Sequence, residues 1–203
     1  MKKINLILIM CFGLLWAQSA GELQQKIKQQ YGSLSSFQAE VVQNNYYAQI
    51  KRNIEYRGKI YFSPSRMLMS FDKPSIQRLL IISGNAELYD AASNTLLRSK
   101  IMPEFGRMNP VEILQHYWDK SQVSISERQK NRWRVKLVPK DDPMLKELTA
   151  LVDPNTGLVH SLSYSDFSDN TVSYSFSGIK LNQAIPASVW KYKYPDDVQV
   201  MSR

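Results

Sequence analysis

One cysteine and two histidines are all the thiol and imidazole chemistry in this 203-residue sequence. A disulfide framework and a Cys/His zinc cluster are both excluded by that count. His116 and His160 have no carboxylates clustered around them in sequence, so both read as surface or capping histidines. There is no G-x-S-x-G elbow, no phosphate-binding Walker loop and no dinucleotide fingerprint. Asp153-Pro154-Asn155-Thr156-Gly157 imitates the opening of a calcium loop, but its twelfth position is Tyr164 where a bidentate Glu is needed. That segment is expected to be a β-turn. The acid pairs Asp141-Asp142 and Asp196-Asp197 stand beside prolines and read as solvated loop ends. Enzymatic catalysis, a metal and a cofactor therefore have no residues to stand on. Fixed-period repeats and low-complexity runs are missing too.

Long apolar runs are also missing, except at the start. Lys2 and Lys3 precede a 13-residue h-region, Ile4 to Trp16, followed by the small-residue stretch Ala17-Gln18-Ser19-Ala20. As a helix, that h-region reaches only about 20 Å against a bilayer core of roughly 30 Å, so it is expected to be a cleavable signal rather than a span. Cleavage after Ser19 places Ala17 at −3 and Ser19 at −1, giving residues 1–19 as signal peptide and 20–203 as one exported domain. Cys11 lies between Met10 and Phe12 inside the h-region. A lipid-modified cysteine would follow the h-region among small residues, so the exported chain is expected to be cysteine-free and unlipidated. Such a chain is most simply a soluble periplasmic one.

Loss of Lys2 and Lys3 takes the formal charge from +8 to +6. A basic balance raises nucleic acid as a partner. The densest cluster, Arg128, Lys130, Arg132, Arg134 and Lys136, alternates with Trp133, Val135 and Leu137, which is the wet face of a strand. No nucleic acid is expected; an anionic membrane or acidic partner fits the charge better.

Leu23, Ile27, Tyr31 and Leu34 recur at helical spacing, predicting one amphipathic helix over 21–34. From Phe37 the period becomes two. Strands are predicted at 37–50, 55–62, 66–72, 76–82, 86–90, 95–99, 121–128, 131–138, 148–153, 158–165, 171–180 and 189–194. Turn residues such as Ser83-Gly84-Asn85, Ser93-Asn94 and Asp169-Asn170 separate them. Short connections imply an antiparallel, meandering sheet. Asn109-Pro110 ahead of Ile113, Leu114, Tyr117 and Trp118 predicts a second helix, and Pro143 to Leu148 suggests a helical turn. About a dozen strands with one apolar face and so few helices predict an antiparallel, incompletely closed β-barrel, covered by the N-terminal helix and short internal helices. Met67, Met69 and Phe71 share a face, as do Val135 with Leu137, and Tyr174 with Phe176. A methionine stripe reads first as core and second as a soft surface for variable ligands.

The order of motifs resembles the outer-membrane lipoprotein carrier family, LolA. Phe37-Gln38-Ala39-Glu40-Val41-Val42-Gln43 is similar to the family's F-x-A-x-F-x-Q strand. Gly58, Ser63-Pro64, Arg66 and Pro74 follow its G…R-P…F…P run, and Gly84 to Asp90 its D-G-x-x-L-W-x-Y-D hairpin. Asp153…Gly157-Leu158-Val159 and Val189-Trp190-Lys191-Tyr192 continue the order late in the chain. The resemblance implies a monomeric periplasmic carrier whose apolar cavity takes the acyl chains of outer-membrane-directed lipoproteins. These would come from an inner-membrane lipoprotein-releasing ABC transporter and pass to an outer-membrane lipoprotein receptor.

On this reading Met67, Met69, Phe71, Leu79, Ile81, Leu88, Val135, Leu137 and Phe176 line one common cavity. Leu23, Ile27, Ile113 and Leu114 belong to its lid. Two positions depart from the family. The arginine that ties the family's lid to the barrel corresponds to Ser63, and the aromatic three residues beyond the following proline to Met67. Arg66 is the nearest substitute latch, though on one extended strand it would point away from the face of Ser63. A lipid- or lipoprotein-sensing regulatory module on the same fold is the alternative, and a structural β-protein with a filled core is a third reading.

Overall fold

A computed structural model describes residues 20–64, 66–100, 110–128 and 131–202. The expected signal peptide and Cys11 lie outside the described residues. Helix α1 covers 20–32. Six strands follow: β1 (Phe37–Tyr47), β2 (Arg52–Ser63), β3 (Arg66–Lys73), β4 (Gln77–Ile82), β5 (Asn85–Asp90) and β6 (Thr95–Lys100). Helix α2 (Pro110–Trp118) interrupts the sheet. Then come β7 (Ser121–Arg128), β8 (Arg132–Pro139), β9 (Glu147–Val152), β10 (Val159–Ser165), β11 (Thr171–Leu181) and β12 (Gln199–Ser202).

All twelve strands form one sheet in the order β12-β6-β5-β4-β3-β2-β1-β11-β10-β9-β8-β7. Every neighbouring pair is antiparallel except β12 with β6, which is parallel. Hydrogen bonds do not close the sheet; β12 and β7 are its two edges. The hairpin-rich order follows from short turns, and two pairings join strands distant in sequence: β1 with β11, and β6 with β12.

Two expectations fail here. Residues 189–194 are not a strand: Ala187–Trp190 is a 3-10 turn, and the chain then runs extended outside any ladder. The alternation of Trp190, Tyr192 and Tyr194 is nevertheless real, because this segment lies across the sheet and turns alternate side chains onto it. The Pro143 region is not helical. The Asp142 carboxylate accepts from the N–H groups of Met144 and Leu145 (2.8 and 2.7 Å), an Asx-type bend that leads into β9.

The helix-bearing face of the sheet holds two buried clusters. One packs Leu23 and Ile27 of α1 and Leu114 and Trp118 of α2 on β8, β9 and β10. The other is built on β1 to β5 and β11 around Phe37, Val41, Ile60, Met67, Met69, Phe71, Ile81 and Phe176. Tyr31 packs against both.

Candidate functional site

Cα partners in a ladder share a face, so register reveals what the helix-bearing face presents. Ala39, Ile60, Met69, Leu79, Leu88 and Leu97 are successive partners across six strands, β1 to β6. Phe37, Phe62, Met67, Ile81 and Ala86 make the adjacent row. The first row opens towards one side: Ile60 is 1% and Met69 5% exposed, Leu79 and Leu97 are half-buried, and Leu88 is 40% exposed. An apolar floor therefore runs from a sealed interior to solvent at β5. Aromatic rings edge it, with Phe37 against Phe176 at 6.0 Å and Tyr56 against Phe71 at 5.7 Å.

The structure brings Met67, Met69, Phe71, Leu79, Ile81 and Phe176 together in one cluster. Leu88 is the cross-strand partner of Leu79 at its exposed end. Val135 and Leu137 are fully buried in the other cluster, beneath Leu23, Ile27 and Leu114, with Ile113 at its margin. The expected cavity residues thus divide between two clusters, and the lid residues rest on the smaller share.

Sequence periodicity places Tyr31 on the apolar stripe of α1, yet its hydroxyl has a polar task. It accepts from the Val159 N–H at 3.0 Å, and burial pushes its pKa up to about 12 against that hydrogen bond. Two further ties hold α1 at the β9–β10 turn. Lys26 Nζ donates to the Pro154 carbonyl at 2.7 Å, and Gly157, at φ +74°, lies so close that an added Cβ would stand 2.6 Å from the Lys26 backbone. Asp153 caps that turn by accepting from Asn155 and Thr156, and the Gly157 N–H closes it on the Asp153 carbonyl at 2.8 Å. At the other margin Asp119, just past α2, accepts from Gln24 at 2.8 Å. The helices are joined to the sheet and to each other by these contacts.

The expected latch positions lie away from the helices. Ser63 and Arg66 are not three positions apart on one strand: they end β2 and begin β3 and are Cα partners across that hairpin. They therefore share a face, and it is the face opposite the helices, because the next pair, Phe62 and Met67, points to the helix side. Arg66 sits over the Trp190 ring at 4.1 Å. The C-terminal segment covers this opposite face. Tyr192 and Tyr194 pack on Tyr89 at 5.7 and 5.3 Å, and Tyr194 donates to Glu87 at 3.0 Å. Leu68, Tyr89 and Leu96 are buried beneath it together with a charged residue, Arg78, which is 7% exposed. The Arg78 guanidinium lies 4.6 Å from the Tyr192 ring and donates to the Val189 carbonyl at 3.4 Å. Burial lowers its pKa, partly offset by Tyr194 and Tyr192.

Sequence reasoning missed Arg78. Between Gln77 and Leu79 it has the pattern of a solvated strand residue, and nothing local announces cover arriving 110 residues later. His116 is exposed, as expected, 2.9 Å from Lys120 Nζ. Lys136, from the basic strand, pairs with Glu147 at 2.6 Å. Among the described residues, no group of three or more His, Cys, Asp or Glu side chains could hold a metal, and no helix is long and apolar enough to cross a membrane.

The family model described as outer membrane lipoprotein carrier protein LolA matches residues 32–193. None of the curated proteins matches the sequence. Among solved structures, an uncharacterized conserved protein from Thermus thermophilus is similar at TM-score 0.58 and 16% identity, over 91% of this chain and 99% of that one. Mycobacterium tuberculosis lipoprotein LppX is similar at 0.52 and 8% identity, over 84% and 98%. A chain of the Pseudomonas aeruginosa MucA/MucB complex is similar at 0.50 and 9% identity, over 87% of this chain but only 61% of that one. At these identities the structural likeness is one of fold.

Proposed function

Because the chain belongs to the family of outer membrane lipoprotein carrier proteins, LolA, we propose that it is a periplasmic carrier for the acyl chains of lipoproteins. It is exported by its N-terminal signal, receives lipoproteins released from the inner membrane by an ABC transporter, and delivers them to the outer membrane, to a receptor there. The observation that carries this reading is the apolar floor that rises from buried Ile60 and Met69 to solvent-facing Leu88.

A lipoprotein in transit needs such a floor. At about 0.8 kcal/mol per CH₂, a 16-carbon chain held in water costs on the order of 12 kcal/mol. Met67, Met69 and Phe71 are buried in one another's company, so an acyl chain entering from the Leu88 side must part existing contacts or lift α1. That opening cost lowers the net affinity well below the gross burial, and a carrier that must release its cargo requires this. Methionines suit the task because they repack around ligands of variable shape.

An apolar fluorescent probe should bind stoichiometrically and be displaced by a lipopeptide. Met69→Asp should abolish binding, since an unpaired carboxylate is strongly disfavoured in an apolar site. Leu88→Asp, at an exposed position, should weaken binding without unfolding the chain. Probe binding equal to wild type in both variants would put the site elsewhere. The similarity to a chain of the MucA/MucB complex favours a second reading, a sensing module on the same fold. A carrier passes bound lipoprotein on to acceptor membranes, whereas a sensor holds a partner protein when lipid is bound.

A further inference from the structure

A cleft of about 650 Å³ lies on the face opposite the helices, between β1 to β4 and the 3-10 turn Ala187–Trp190. It is separate from the apolar floor. Its charged residues are mainly cationic: Arg57, Lys59, Lys73, Arg78 and Lys191 line it, against the carboxylates of Glu40 and Asp72. Arg57 is already paired with Glu55 at 2.6 Å. Lys59, Lys73 and Lys191 have no ion-pair partner among the described residues. Hydroxyls stand beside these cations. Ser70 is the cross-strand partner of both Lys59 and Arg78, and Ser177 and Ser188 line the cleft as well.

Two observations show that this charge is not mere surface decoration. Arg57 and Lys73 are direct Cα partners across β2 and β3, a like-charge pairing that costs stability in a sheet. Arg78, more than nine-tenths buried, lines the cleft while its Nε has no hydrogen-bond partner, an expense a folded chain rarely carries unless something completes it. Buried guanidinium donors beside flexible ammonium groups and hydroxyls match an oxyanion with several acceptor oxygens and one to two negative charges.

We propose that this cleft binds a phosphate ester, with Arg78 as its buried anchor and Lys59 and Lys191 closing on the anion from the sheet and the C-terminal segment. The site is independent of the acyl-chain reading. A phospholipid headgroup and a soluble phosphate monoester share this chemistry.

The test uses the exported chain with inorganic phosphate as the first probe, read by calorimetry and by the Nε–Hε signal of Arg78 in a ¹H–¹⁵N spectrum. Phosphate should bind and shift that signal. The double variant Lys59→Gln, Lys191→Gln should bind roughly tenfold or more weakly, with an unchanged melting temperature, because both side chains are at the surface. Glycerol phosphate and a short-chain phosphatidylglycerol below its micelle concentration then separate the sources: tighter binding of the first indicates a soluble monoester, of the second a headgroup. No heat and no Arg78 shift up to about 20 mM phosphate, the range of a negligible affinity, would overturn the proposal. So would equal phosphate binding by wild type and the double variant; Arg78 would then only anchor the C-terminal segment.

Discussion

At Gly58 an added Cβ would stand 2.0 Å from the Ser70 carbonyl oxygen and 2.6 Å from the Phe71 Cα. Both are backbone atoms, and the ladder register shifts between Arg57 and Gly58, so β2 and β3 approach too closely for any side chain. Gly58→Ala should therefore cost about 3 kcal/mol or more, read as a lower urea midpoint for the whole chain. Gly157→Ala acts differently. Its positive φ adds about 1–2 kcal/mol of strain, and the clash falls on α1 rather than on a strand partner. Amide exchange across residues 20–32 should rise well before global unfolding does. If both variants lowered only the global midpoint, α1 would not be a separately releasable element. Both glycines stand in motifs visible in the sequence, but their reasons do not: a bulge and a helix contact 131 residues away are products of register and topology. Arg78 is the harder case, since a strand arginine looks the same whether water or Tyr192 lies above it.

The strands were legible because one buried face forces period two, and eleven of the twelve expected strands formed with boundaries shifted by a few residues. The exception, 189–194, alternates for the same physical reason without pairing a neighbour, so periodicity reported a face and could not report a ladder. Both helices also formed where spacing and the Asn109-Pro110 start placed them. Helix α1 carries a pH dependence of its own. The Tyr31 hydroxyl has an ordinary value of 10.0, raised to about 12 in the fold. Between those values the unfolded chain has lost the proton and the folded chain keeps it, so stability falls as pH rises through that window. Because Tyr31 is only partly buried, the loss is on the order of 2 kcal/mol. Tyr117, bonded to Asp142, and Tyr194, bonded to Glu87, are also raised to about 12 and act in the same direction. Tyr31→Phe should cost about 1 kcal/mol at neutral pH, where the Val159 N–H loses its acceptor. The same variant should show a shallower decline between pH 10 and 12 in alkaline denaturation followed by circular dichroism. An unchanged alkaline slope would mean that Tyr31 ionises freely in the folded chain.

At the scale of the whole molecule, one sheet separates two environments. The helix side is apolar and runs from sealed clusters to an open margin; the other side carries a cationic cleft beside the C-terminal segment, which packs on Tyr89 and Arg78. Ser63 and Arg66 lie on the second side, where Arg66 stands over the Trp190 ring. Helix α1 is held by the contacts of its own Tyr31 and Lys26 and by Asp119. Periodicity identified the apolar residues of the helix side but could not divide them between two clusters, because strand alternation assigns a face and is blind to which helix arrives above it. Division matters for the route of a ligand. The cluster under α1 and α2 is closed, with Leu114, Val135, Leu137 and Leu148 at 0% exposure, while Leu88 stands open at 40%. Entry should therefore begin at β4 to β6. With Cys11 the sole cysteine, a chain beginning at Ala20 carries one label wherever a cysteine is introduced. A polarity-sensitive dye at Leu88→Cys should shift to the blue when a lipopeptide binds, and the same dye at Val138→Cys, exposed on the far strand β8, should not. A lipopeptide that binds stoichiometrically yet leaves the Leu88 dye in water would place the entrance elsewhere, and α1 would have to lift away before any chain could enter.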